Sequence, residues 1–104
     1  MQNKLERQLV DAAAGCDVES FGELCQRYYS PMVSIAYSVI SDHQLAEDAA
    51  QESFARAFVK LRTLKNQTKF APWLAAICRN VAKDMVAAKA RQINTWFCFS
   101  NRID

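Results

Sequence analysis

The stretch Ala46-Glu47-Asp48-Ala49-Ala50-Gln51-Glu52-Ser53-Phe54-Ala55-Arg56-Ala57-Phe58-Val59-Lys60-Leu61 decides the fold. Ala46, Ala50, Phe54, Ala57, Phe58 and Leu61 recur every three or four positions and are continued by Leu64, which is the signature of one apolar stripe on an α-helix. Glu47, Asp48, Gln51 and Glu52 fall largely on another side. Ser41 or Asp42 supplies the N-cap, so this helix spans about 42–64. Such a stripe must be buried, and what lies on either side supplies the partners. Upstream, a helix from about Lys4 to Ala14 stops at Gly15. Asp17 caps a second helix whose apolar residues Phe21, Leu24, Cys25 and Tyr28 keep helical spacing. Pro31 should kink or break it, and the pattern resumes at Met32, Ile35, Ala36 and Val39. Downstream, the polar connection Lys65-Asn66-Gln67-Thr68-Lys69 leads to a fourth helix from Phe70 to about Lys89 or Arg91. Its core face is Phe70, Trp73, Leu74, Ile77, Val81 and Met85, and Pro72 lies in its first turn, where a missing donor costs little. The expected fold is all-α, a compact antiparallel bundle of three to four helices over residues 1–92.

Composition agrees and excludes much else. The chain has 104 residues, enough for one domain, and only two glycines and two prolines, too few for the frequent turns of an all-β protein. No apolar run approaches the roughly 18 residues of a membrane span, and Met1 to Lys4 open no secretory signal. A cytoplasmic protein without membrane contact is expected. Cys16, Cys25, Cys78 and Cys98 form no Cys-x-x-Cys pair, and His43, the only histidine, is not spaced with them as a zinc ligand. Cys25 and Cys78 lie on apolar helical faces and read as buried free thiols in a reducing compartment. Nothing in the sequence near Cys98 clearly favours a thiolate. One histidine and no glycine-rich phosphate loop leave no catalytic constellation. Glu47, Asp48 and Glu52 have no histidine at ligand spacing and read as a solvated or partner-facing acidic surface. No enzyme activity, metal or cofactor is expected.

Charge is segregated along the chain. Residues 1–55 carry three basic residues against nine acidic ones, a net of −6. Residues 56–92 carry nine basic residues (Arg56, Lys60, Arg62, Lys65, Lys69, Arg79, Lys83, Lys89, Arg91) against Asp84 alone, a net of +8. Phe58, Phe70 and Trp73 are interleaved with these cations. Such a mixture suits a polyanion, with cations for phosphates and rings for unpaired bases. The acidic half would be repelled by nucleic acid and should face solvent or a basic protein.

Three blocks then carry a resemblance. They are Ser20-Phe21-Gly22-Glu23-Leu24 with Arg27-Tyr28-Tyr29; Ala46 to Phe54 with Arg56-Ala57-Phe58; and Phe70-Ala71-Pro72-Trp73-Leu74 with Ile77, Arg79-Asn80 and Asp84. In this order and spacing the stretch Ser20 to Arg91 resembles domain 2 of the extracytoplasmic-function sigma factors, small specificity subunits of bacterial RNA polymerase. The resemblance implies a transcription initiation factor domain that binds core polymerase and recognises and melts the promoter −10 element as single-stranded DNA. It places Asp48, Gln51, Glu52 and Phe54 against the coiled coil of the polymerase's largest subunit. A carboxylate pair and an amide suit basic partner groups, and an aromatic suits an anchor, although Phe54 also lies on the core stripe. It places Lys65, Asn66, Gln67, Thr68 and Lys69 around a base turned out of the non-template strand, with Arg79, Asn80 and Lys83 on that strand's backbone. Asn66 and Gln67 offer donors and acceptors to a base edge, and Lys65 and Lys69 offer phosphate contacts. Trp73 is expected in the core rather than against DNA, and Asp84 beside a neighbouring cation. Anti-sigma proteins often cover the same surfaces, so one is a further partner the resemblance implies.

The match departs from the family at its end. Family members continue through a linker into a second helical domain that reads the −35 element, and a chain ending at Asp104 has no room for it. The tail 93–104 carries Ile93, Trp96, Phe97, Cys98 and Phe99, apolar for a linker. It reads as a truncated end, a segment that packs back on the bundle, or a self-association patch. Two other readings stay open: a helix-turn-helix regulator of duplex DNA, and an interaction module with no DNA role.

Overall fold

The computed structural model describes the backbone of residues 5–103 and the side chains of residues 5–94. Four α-helices follow one another: α1 (Glu6–Ala14), α2 (Val18–Ile40), α3 (His43–Lys60) and α4 (Phe70–Ile103), with 3-10 turns at Leu61–Thr63 and Gln67–Lys69 between the last two. Among the described residues there is no strand. The helical bundle read from the periodicity is the fold found.

The core is where the three long helices meet. α2 gives Phe21, Leu24, Met32 and Ala36; α4 gives Phe70, Leu74, Cys78, Val81 and Ala82; α1 adds Leu9, Val10 and Ala13. Between them α3 presents Ala46, Ala49, Ala50 and Ala57, all with no exposed surface, and Phe54. Small side chains on α3 let its backbone approach both α2 and α4. Ser53 shares this face, fully buried, and satisfies its hydroxyl by donating to the Ala49 carbonyl at 2.6 Å.

Local chemistry explains most boundaries. Asp42, not Ser41, caps α3, its carboxylate accepting from the Leu45 N–H at 3.1 Å. Ser41 instead ends α2 in the left-handed conformation at φ 62°. Asp17 takes the N-cap position of α2, and its carboxylate accepts from the Ser20 hydroxyl at 2.7 Å. Pro31 does not break α2, which is continuous through it. The proline is exposed, where water competes well for the displaced backbone hydrogen bond.

α1 ends at Ala14 with Gly15 as its C-cap, as the sequence predicts, and the left-handed residue of the closure is Cys16 (φ 73°), while Gly15 has an ordinary φ of −85°. The Asp17 N–H bonds the Ala12 carbonyl and the Cys16 N–H bonds that of Ala13, a Schellman closure with cysteine in the glycine position. α4 does not stop near Arg91 but runs on to Ile103. Its 34 residues account for about 50 Å of the molecule's 63 Å length. The tail 93–104 thus has a helical backbone through Ile103; whether its aromatic residues or Cys98 pack back on the bundle lies outside the described residues. No helix among the described residues is long and apolar enough to cross a membrane.

Candidate nucleic-acid interface

α3 and α4 present the charged residues. Along α3, Asp48, Glu52, Arg56 and Lys60 follow one another at i,i+4 spacing and all are exposed, so they form one ridge that is acidic at its start and basic at its end. This order suits the helix dipole. Sequence segregation of charge therefore becomes segregation along a helix. Gln51 is exposed beside the acidic part. Phe54 is not: it is 7% exposed and belongs to the core. Its accessible edge joins Val18, Phe21, Ala55 and Phe58 in an apolar groove between α2 and α3. Phe58, expected on the buried stripe, is the more open ring at 36% exposure and packs tilted on Phe21 with centroids 4.8 Å apart. The buried stripe of α3 runs from Ala46 to Ala57, and Phe58 and Val59 beyond it are exposed.

The basic end of this ridge faces α4 across an open groove of about 380 Å³ lined by Arg56, Lys60, Ile77, Asn80, Lys83 and Asp84. Here the structure brings Asn80 and Lys83, which the resemblance places on the strand, together with Arg56 and Lys60, which the sequence reading counted in the basic block but did not place at the site. The missed signal was the i,i+4 register of the α3 cations relative to Glu52. Arg56 donates through Nε to a Glu52 carboxylate oxygen at 2.9 Å, and its Nη1 lies 3.9 Å from Asp84. The expectation that Asp84 steadies a neighbouring cation thus finds its partner on α3. Arg79 is exposed on α4, one turn before Lys83.

The connection 65–69 leads into the start of α4 and is more ordered than a plain polar loop. Asn66 caps the Gln67–Lys69 turn: its side-chain oxygen accepts from the Thr68 N–H at 3.0 Å and from the Thr68 hydroxyl at 2.6 Å. That leaves the amide N–H donors of Asn66, the half-buried Gln67, and the exposed Lys65 and Lys69 facing outward chemistry. The turn packs on α1 and on the start of α4. Phe70, fully buried, anchors its end, with Tyr28 edge-on at 5.6 Å and Trp73 at 5.9 Å between ring centroids. The Tyr28 hydroxyl donates to Glu6 of α1. Burial and the Glu6 carboxylate push the Tyr28 phenol up to about 12. Trp73 is half-buried, as expected of a core residue. From Lys69 to Asn80 is about 16 Å along α4, so turn and groove can be bridged by one extended ligand.

Among the described residues, no three His, Cys, Asp or Glu side chains come together as a metal-binding set. Cys78 is buried and donates to the Met32 carbonyl, and burial pushes its thiol up, as it does that of the half-buried Cys25. Neither is activated for chemistry.

The chain is similar to known proteins in sequence and in fold. The family model described as Sigma-70 region 2 matches residues 24–92. A probable RNA polymerase sigma factor, RfaY, of Xanthomonas campestris is 38% identical over 80 residues, 77% of this chain and 20% of that protein. The RNA polymerase sigma-H factor of Pseudomonas aeruginosa is 30% identical over 87 residues, 84% of this chain and 45% of that one. The ECF RNA polymerase sigma factor SigW of Bacillus subtilis is 27% identical over 89 residues, 86% and 47% of the two chains. The chain thus spans less than half the length of each of these relatives. An NMR structure of an engineered region 2 of sigmaE in complex with GTAAAA superposes with a TM-score of 0.80 at 26% identity, covering 88% of this chain and 97% of that one.

Proposed function

The chain belongs to the Sigma-70 region 2 family, and on that premise we propose that it binds bacterial core RNA polymerase and captures the opened non-template strand of a promoter −10 element. The observation that carries this reading is the α3–α4 groove, where Arg56, Lys60, Asn80 and Lys83 from two helices converge. It is supported by the similar engineered region 2 of sigmaE, which is in complex with GTAAAA.

Each part has a physical role. Lys60, Lys83 and Arg79 meet strand phosphates, and Asn80 adds a neutral hydrogen-bonding group to the backbone contact. The Asn66 cap pre-organises the backbone of the Gln67–Lys69 turn, so less entropy is lost when a base is seated there. Turning a base out of its stack costs a few kcal/mol, which the amides of Asn66 and Gln67 offset through the base edge. Asp48, Gln51 and Glu52 form the acidic contact for basic groups on the polymerase's coiled coil. Phe54 contributes through the apolar groove it shares with Phe21 and Phe58 rather than as a free-standing ring. An anti-sigma protein would regulate the domain by covering either surface, and the chain works as a binding module rather than as an enzyme.

Binding of fluorescent single-stranded and duplex oligonucleotides tests the strand-capture half. Tighter binding to the single strand is expected; tighter duplex binding favours the helix-turn-helix alternative, and no binding to either favours a protein-only module. For the docking half, core polymerase is captured with wild type and with Asp48→Arg. Recovery should fall about tenfold or more for the reversed charge, and equal recovery removes Asp48 from the interface.

A further inference from the structure

Glu52 and Arg56 join the two surfaces that the proposed function keeps apart. Glu52 lies on the acidic part of the α3 ridge, and Arg56, one turn on, lines the basic groove. A single Nε contact of 2.9 Å holds them together, and Asp84, the only acid among residues 56–92, approaches the same guanidinium from α4 at 3.9 Å. Glu52, Arg56 and Asp84 are 47%, 42% and 72% exposed. Neither contact is the two-bond fork that makes arginine–carboxylate pairs strong, and exposed pairs of this kind are weak. A phosphate presenting two oxygens is the better partner for the guanidinium.

We propose that Arg56 is a phosphate-binding residue of the groove that Glu52 and Asp84 keep occupied in the free chain, and that engagement of Glu52 by the docked polymerase releases it. The proposal rests on the assignment of α3 and α4 given above. Docking and strand capture are then positively coupled through one side chain. Engaging Glu52 with a basic partner group removes one of the two carboxylates competing with phosphate, and Asp84 remains as a weaker brake. Because exposed pairs are weak, the coupling is small, about two- to fivefold in affinity.

A charge-neutralisation cycle tests this. Anisotropy of a labelled single-stranded oligonucleotide containing GTAAAA is measured across a salt series for wild type, Glu52→Gln and Asp84→Asn, and for both changes combined with Arg56→Gln. Glu47→Gln, an exposed acid one turn before Gln51 that has no arginine contact in the groove, controls for general loss of negative charge. Glu52→Gln and Asp84→Asn should each tighten binding about two- to fivefold, and Glu47→Gln by less. Both gains should vanish when Arg56 is glutamine. Equal gains from Glu47→Gln, or gains that survive Arg56→Gln, overturn the proposal. By linkage, saturating oligonucleotide should raise recovery of core polymerase by the same factor in wild type but not in Arg56→Gln; equal recovery in both overturns the release step. Failure of wild type to bind the single strand at any salt defeats the strand-capture reading itself, and this coupling with it. Strand binding without an Arg56-dependent gain defeats the coupling alone.

Discussion

At Cys16 a left-handed backbone carries a side chain although a glycine stands one position earlier. Gly15 ends α1 as its C-cap, as expected of the usual terminator, but it does not take the left-handed conformation. The Schellman closure places its left-handed residue by hydrogen-bond register, and that register is set by where Leu9, Val10 and Ala13 must face the core. Relieving the strain by Cys16→Gly should raise stability by about 0.5–1 kcal/mol, after the larger entropy loss of glycine is deducted. Chemical denaturation reads this out; an unchanged or lower midpoint contradicts it. Tyr28 supplies a second test. Its phenol is held protonated up to about 12, against 10 ordinarily, by burial and by the bond to Glu6. The folded state therefore keeps a proton that the unfolded chain loses first. The stability this represents is intact below pH 10 and is lost as pH rises through about 12. Tyr28→Phe should cost about 1–2 kcal/mol at pH 7 and show a smaller decline between pH 10 and 11 than wild type. Parallel declines would show that Tyr28 does not govern the alkaline limb.

Among the elements, the connection between α3 and α4 differs most from its sequence reading. Five polar residues without an apolar one look like solvent-exposed chain, yet Asn66 closes them into a turn that packs on α1 and leads into buried Phe70. Capping of a three-residue 3-10 turn leaves almost no periodic signal, which is why it was not legible. Asn66→Ala should loosen the turn, weakening single-strand binding by about threefold or more while shifting the thermal midpoint by only a few degrees, since an exposed cap is worth about 1 kcal/mol. Asn66→Asp keeps the cap acceptor but removes the amide donors. If both variants bind like wild type, neither cap nor amide serves the strand. α4 likewise exceeded its expected end. Its core face is readable to Met85 but centres on Cys78, which is fully buried and donates to the Met32 carbonyl of α2, rather than on half-buried Ile77. Beyond Arg91 there is no glycine or proline to stop it.

For the molecule as a whole, the charge pattern is the decisive property. The cations Arg56, Lys60, Arg79 and Lys83 predict a modest salt dependence: four phosphates neutralised on a single strand give a slope of log K against log salt of about −3, and engagement of Lys65 and Lys69 as well would bring it to about −4. A slope near zero would mean that the cations do not meet phosphates. What the amino-acid sequence determined by itself was the helical fold, the family-like order of its three blocks, and the division into an acidic and a basic half. These depend on local spacing and on residue type, which survive without knowledge of any neighbour. Only the tertiary structure decided that Phe54 turns inward while Phe58 stays open, that Arg56 and Lys60 join Asn80 and Lys83 across a groove, and that Glu52 and Asp84 share one guanidinium. Each of these depends on the rotation of α3 against α2 and α4, which is set by how closely its buried alanines let the helices approach, a three-body packing outcome that no single helix encodes.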